Sequence, residues 1–160
     1  MDYIVKYLSP VGELTIASDG ESIVGLWLEG QKYFSATLNG EVTEKELPVF
    51  DEARRWLDIY FSGREPQFML PLAPRGSEFR RAVWDELLRI PYGETATYGD
   101  IAKRLGGKSS ARAVGGAVGH NPISIIIPCH RVVGANGSLT GYAGGVDKKK
   151  QLLRLEKAKI

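Results

Sequence analysis

Short apolar runs separated by turn residues fill the first thirty positions. "YIVKYLS" stops at Pro10-Val11-Gly12, "GELTIASD" alternates apolar with polar and stops at Asp19-Gly20, and "SIVGLWLEG" follows. Strands of this length, with a hairpin-type Asp-Gly between two of them, predict a small antiparallel meander. The period then changes. In "FDEARRWLDIYFSGR" the residues Phe50, Ala53, Trp56, Leu57, Tyr60 and Phe61 recur every three or four positions, one face of a helix that Gly63 and Pro66 stop. "FMLPLAPRGS" has prolines at 71 and 74 and no period, so it reads as a linker with a boundary near Ala73–Gly76.

Beyond it the pattern is helical. "SEFRRAVWDELLRI" offers Ser77 as N-cap and Phe79, Val83, Trp84, Leu87 and Leu88 as one apolar face, ended by Pro91-Tyr92-Gly93. Thr97-x-x-Asp100 resembles a capping box before Ile101, Ala102 and Leu105. Gly106-Gly107 makes a turn, Ser109 or Ser110 can cap the next helix, and Asn121-Pro122 ends it. Two short helices around a glycine turn are a helix-turn-helix pattern.

The second of these helices carries Gly115, Gly116 and Gly119 among Ala111, Ala113 and Ala117. Each interior glycine costs about 1 kcal/mol against alanine, so something must approach the backbone closely. That is either another helix or a DNA surface. A smooth face offers few side chains to base edges, so specificity for sequence is expected to be low. Arg112 is the long cation on this helix, suited to a phosphate or to a gap in a base stack.

Composition and charge sharpen this picture. No run approaches the length of a membrane span, and "MDYIVKYLSP" lacks the basic flank and apolar core of a signal peptide. Cytoplasm is the expected compartment. Residues 1–74 hold 6 Lys/Arg and 12 Asp/Glu, whereas residues 75–160 hold 15 and 7. The asymmetry suggests two domains, the second facing a polyanion or simply carrying a solvated lysine-rich surface.

The one cysteine, Cys129, excludes an internal disulfide and a Cys-rich zinc site. It stands beside His130 after Ile125-Ile126-Ile127, which reads as a buried strand or extended segment, and after Pro128, which bends the chain out of it. A lone cysteine is either an inert small apolar residue or a nucleophile. In "DKKKQLLRLEKAKI", Asp147 is the expected N-cap, and Lys149, Leu152, Leu153 and Glu156 share a face that the leucines bury. A buried Glu156 needs a partner, and His130 supplies one unless the glutamate frays at the helix end. Cys129, His130 and Glu156 would then form a relay in which carboxylate orients imidazole and imidazole draws the thiol proton.

"IPCHRVVGANGSLTGYAGG", "GETATYGDIA" and "ARAVGGAVGHNP" together resemble the O6-alkylguanine-DNA alkyltransferases, nearly continuously from Phe79 to Glu156. The first half matches in outline through "SPVGELTIAS" and the Gly-Leu-Trp strand. The resemblance implies an α+β protein. Residues 1–74 would be a small α/β domain similar to ribonuclease H with an antiparallel sheet. Residues 75–160 would be a mostly helical DNA-binding and alkyl-acceptor domain with the helix-turn-helix.

It further implies Cys129 as alkyl acceptor, His130 as base through a bridging water, Glu156 as its orienter and Asn121 as hinge. Arg112 would be the finger replacing a flipped nucleotide, on a DNA-binding surface with Ala111, Ala113 and Gly115. Tyr98 would crowd a phosphate and later hydrogen-bond the guanine. Cys129, Val132 and Ala143 would hold the base edge through backbone groups, with Tyr142 shaping the pocket and Val118 and the Gly134–Gly141 loop setting its width. The implied partner is double-stranded DNA carrying O6-alkylguanine, with O4-alkylthymine left open as a second lesion, bound through the minor groove by a monomer. No cofactor, metal or membrane is implied. Two other readings compete. A lesion-binding relative that transfers nothing carries tryptophan where Cys129 stands. A thiol hydrolase would need neither the charge split nor the glycine-rich helix.

Overall fold

The computed structural model describes residues 1–106 and 109–158. Reversals at Pro10-Val11 and Asp19–Ser22 fold the three apolar runs into antiparallel strands β1 (Asp2–Ser9), β2 (Gly12–Ser18) and β3 (Ile23–Leu28). The Asp19 carboxylate fixes the second turn by accepting the amides of Glu21 and Ser22 at 3.0 and 2.9 Å. A fourth strand, β4 (Val42–Glu44), runs parallel to β1 at the outer edge, giving the order β3-β2-β1-β4. Helix α1 (Pro48–Phe61) opens on proline at its first turn and lays Phe50, Ala53, Leu57 and Tyr60 into the main core, as its spacing predicts.

The free edge of β3 decides how the rest of the chain attaches. Ile23 N–H donates to Pro71 O at 2.8 Å and Ala73 N–H to Ile23 O at 2.9 Å. Leu26 N–H donates to Pro122 O at 2.8 Å and Ser124 N–H to Leu26 O at 2.9 Å. So the stretch expected to be a structureless linker lies along the sheet edge, and so does the segment that leads to Cys129. Pro71 and Pro122 each contribute only a carbonyl, the one ladder group proline retains.

Four α-helices follow among the described residues. In α2 (Glu78–Leu87) the Ser77 hydroxyl accepts Arg80 N–H, and Val83, Trp84 and Leu87 are buried. Leu88, expected on that face, is the C-cap residue and is exposed. Helix α3 (Tyr98–Arg104) carries the reciprocal Thr97/Asp100 capping box. Ser110, not Ser109, caps α4 (Ala111–Gly119) by accepting Ala113 N–H at 3.0 Å. Gly106 supplies a left-handed φ of 90° after α3, and Gly107 lies outside the described residues. The Trp84 indole N–H donates to Ala117 O at 2.8 Å and ties α2 to α4.

Two further features depart from expectation. A two-residue parallel ladder joins β5 (Ala96–Thr97) to β6 (Val132–Val133). Helix α5 (Val146–Leu155) is capped not by Asp147 but by Gly145 at φ 97°, so Asp147 falls in the first turn, where a carboxylate still favours the helix dipole. Among the described residues no helix is long and apolar enough to cross a membrane.

Candidate active site and nucleic-acid interface

Asn121, at the end of α4, shapes the approach to the cysteine. Its amide nitrogen donates to Ile127 O at 2.9 Å and its oxygen accepts Ile123 N–H at 3.0 Å. The chain between them cannot stay extended. Ile126 N–H donates to Ser124 O at 2.8 Å, a three-residue turn that puts Ile125 at φ 72°. A β-branched residue rarely adopts that conformation, and it costs roughly 1–3 kcal/mol. Ile125, Ile126 and Ile127 are therefore buried as expected but form turns rather than a strand. A second three-residue turn follows, with Pro128 at φ −80°, ψ 65° and Cys129 N–H on Ile127 O at 2.8 Å. Cys129, His130 and Arg131 then make one 3₁₀ turn, all three buried.

Glu156, the C-cap residue of α5, meets this turn with its carboxylate fully occupied. His130 Nε2 lies 2.6 Å from Oε2, and the Tyr60 hydroxyl donates to the same oxygen at 2.5 Å. Arg131 Nε donates to Oε1 at 2.8 Å, joined by Gly93 N–H at 3.1 Å. Burial raises the Glu156 pKa, but His130 and Arg131 outweigh it and hold the group at about 2. An ionised carboxylate only accepts, so His130 carries its proton on Nε2. Nδ1 is thereby left with a lone pair, and it has no partner among the described residues. Burial also lowers the His130 pKa against the pull of Glu156, which keeps the ring neutral with that lone pair free.

Cys129 lies within this enclosure, 4% exposed. Burial pushes the thiol up, while the Asn121 amide, the Lys149 charge, its own backbone amide and the Tyr142 hydroxyl pull it down. Lys149 is 1% exposed, with its ammonium donating to Val132 O and, at 3.0 Å, to Thr140 O. Burial depresses it to about 8, so near neutral pH it remains a cation next to the thiol. Lys149→Met is expected to slow the reaction of Cys129 with a small alkylating reagent at pH 7, because loss of the neighbouring cation lowers the thiolate fraction. Mass spectrometry of the labelled chain across pH reads this directly.

Arg131, which could pass for a DNA-reaching arginine, is 9% exposed and also binds Ile90 O at 2.7 Å. Arg112 is the exposed one, on α4 with Ala111, Ala113 and Gly116. The glycines of α4 do not serve packing inside the chain. A Cβ at Gly116 or Gly119 would meet no described atom within 4 Å, and one at Gly115 would touch the Tyr98 ring at an ordinary 3.8 Å. Helix-on-helix packing is thus excluded among the described residues as the reason for them, and an open backbone face remains.

Beside that face is a cavity of about 200 Å³ lined by Gly115, Gly119, His120, Tyr142 and Ala143 and, from the first half, by Lys32 and Tyr33. Tyr33 stacks on His120 at 3.9 Å, and Lys32 N–H donates to Ala143 O at 3.1 Å. Tyr98 is half-buried at its margin, with its hydroxyl on Thr140 O at 3.3 Å and its pKa raised by burial and by Cys129. Val118 is buried in the core below. The structure thus brings together Cys129, His130, Glu156, Asn121, Tyr98, Val132, Tyr142 and Ala143, and leaves Ala111, Arg112 and Ala113 on the adjoining outer surface. Tyr60, Lys149, Lys32 and Tyr33 were not expected there. Only Lys149 had a sequence signal, its place on the Glu156 face of α5.

Two family models match the sequence along almost the whole chain. The model for the "6-O-methylguanine DNA methyltransferase, DNA binding domain" covers residues 78–158, and that for its "ribonuclease-like domain" covers residues 3–74. The chain belongs to the 6-O-methylguanine DNA methyltransferase family. The methylated-DNA–protein-cysteine methyltransferase of Haemophilus influenzae is 48% identical over 97% of this chain and 86% of that protein. That of Methanosarcina acetivorans is 47% identical over 96% and 97%. The crystal structure of the Mycobacterium tuberculosis OGT in complex with DNA superimposes with a TM-score of 0.85 at 45% identity, covering 98% of this chain and 92% of that one. Membership carries the expected α+β fold with it.

Proposed function

We propose that this chain repairs alkylated DNA by direct reversal, moving the alkyl group from O6 of guanine to Cys129. The observation that carries the reading is the buried chain of groups Glu156, His130 and Cys129, with a bare imidazole nitrogen at its middle, placed beside an open helix face. An alkyl group on O6 lies within the base stack, so the nucleotide must be turned out before a buried thiol can reach it. The glycine face of α4 lets DNA approach the backbone itself, and the minor groove suits a surface with few reading side chains. Sequence specificity is correspondingly low. Arg112, exposed at the start of α4, fills the gap left in the stack. The cavity at Tyr142 and Ala143 takes the base, with Tyr98 at its edge. One chain suffices for all of these parts.

The chemistry is a single displacement. The Cys129 proton passes through a bridging water to His130 Nδ1, and Glu156 steadies the imidazolium that results. Sulfur bonds to the alkyl carbon as the carbon–O6 bond breaks, leaving its electron pair on the guanine oxygen. Tyr98 donates a hydrogen bond to the departing base, which takes up one proton from solvent as His130 releases the thiol's proton back through the water. Thiol and O6-alkylguanine become thioether and guanine. No group in the site can cleave a thioether, so each chain acts once. The division at residues 74/75 separates a supporting unit from a DNA-binding one, a reading supported by the acidic and basic halves.

The test is stoichiometric. Duplex DNA bearing O6-[methyl-³H]guanine is expected to deliver one label per chain, recovered on the peptide that contains Cys129. Repeated turnover, or label elsewhere, refutes the reading.

A further inference from the structure

Tyr60 sits on the buried face of α1, among residues that serve the core. Its ring is 0% exposed and is held in place by Trp56, stacked at 5.5 Å, and by Tyr92, edge-on at 6.2 Å. A phenylalanine would fill that volume equally well. The hydroxyl does something else. It donates to Glu156 Oε2 at 2.5 Å, the oxygen that His130 Nε2 reaches at 2.6 Å, and it stands 3.4 Å from that nitrogen.

We infer that Tyr60 is a positioning residue for alkyl transfer, through which the first half of the chain orients the Glu156–His130 pair. This rests on the reaction proposed above. Each carboxylate oxygen of Glu156 has two donors: Arg131 and Gly93 N–H on one, Tyr60 and His130 on the other. Without the phenol, Oε2 would be held by the imidazole alone. The carboxylate could then turn about its last bond and carry the imidazole with it. Such outer partners typically contribute 10–100-fold where a liganding or catalytic histidine must be aimed, by analogy with metal sites.

The phenol also shares the carboxylate's negative charge. Other groups acting on Glu156 and His130 are Arg131 and Lys149 as cations and Tyr92 and Tyr142 as neutral phenols. Burial, reinforced by Glu156, pushes Tyr60 ionisation well above its ordinary range, so it stays a donor throughout the working pH. With the hydroxyl gone, the less-shared carboxylate stabilises imidazolium more strongly. His130 then protonates at higher pH and loses its free nitrogen sooner.

Tyr60→Phe in the full chain tests this by single-turnover transfer from O6-methylguanine DNA at saturating concentration. The saturating rate is expected to fall about tenfold, with affinity for the same DNA within about twofold, and the acid limb of the rate to move to higher pH. A role limited to packing would move neither the saturating rate nor the acid limb. A second variant, 3-fluorotyrosine at position 60, keeps the ring and makes the hydroxyl a stronger donor, and is expected to move the acid limb the other way. If the wild type transfers label but neither substitution shifts its rate or pH profile, the role of Tyr60 is overturned while the reaction stands. A wild type that transfers nothing overturns the reaction itself.

Discussion

Cys129→Ala is expected to abolish label transfer entirely while leaving affinity for O6-methylguanine DNA within about twofold, because the thiol is the alkyl acceptor and the helix face proposed to meet DNA is elsewhere. The chain has one cysteine, so no second thiol can take over. The substitution is also mild for the fold. Cys129 packs as a small buried apolar residue, and truncating it to alanine removes a single heavy atom; a loss of about 1 kcal/mol is expected. Electrophoretic mobility shift and intact-mass measurements on one preparation separate the two readouts. Residual transfer would assign the acceptor role to another side chain, and collapsed DNA affinity would place the cysteine loop in the binding surface.

Glu156→Ala should be costlier because it strikes fold and chemistry together. It would leave Arg131 Nε, the Tyr60 hydroxyl and His130 Nε2 in the interior without the acceptor they share. Breaking a buried ion pair from one side typically costs 3–5 kcal/mol. For a chain of this size that amounts to a fall in Tm on the order of 10 °C, read by calorimetry. Transfer should slow by about 10²-fold or more, since the imidazole loses both its tautomer and its aim.

Glu156→Gln is no rescue. All four groups around the carboxylate are donors, and an amide can satisfy only one side. The same carboxylate has a pH signature. Its folded pKa of about 2 lies below the ordinary 4.5, so its stabilisation is complete above about pH 4.5 and drains away as pH falls towards 2. That contribution is about 3 kcal/mol. Acid unfolding between those limits should be steeper in the wild type than in Glu156→Ala.

Local patterning revealed the helices and part of the site. The faces of α1 and α2 follow from three- and four-residue spacing, and the Thr97/Asp100 box from its own letters. Glu156 was legible because two leucines bury the face it shares. Lys149 stood on that face too, yet a lysine near a helix start looks like a solvated end until its ammonium is seen on two carbonyls. The three isoleucines before Cys129 follow strand composition, but the Asn121 side chain, from outside the run, overrides it. Strand β4 had no readable pattern because all three of its residues are exposed. Tyr60 could not be assigned a role, since its partner lies 96 residues along the chain and its spacing already explained it as core.

The open face of α4 sets the physical demands of folding and of docking against each other. At Gly116 and Gly119 nothing among the described residues resists a methyl group, and alanine there would stiffen the helix by about 1 kcal/mol each. Selection for heat resistance alone would therefore drift towards alanine at these positions. In the docking proposed above, each such gain would raise a small bump where a nucleic acid backbone lies flush. On that proposal the helix stays weak because its most useful surface consists of atoms it does not have.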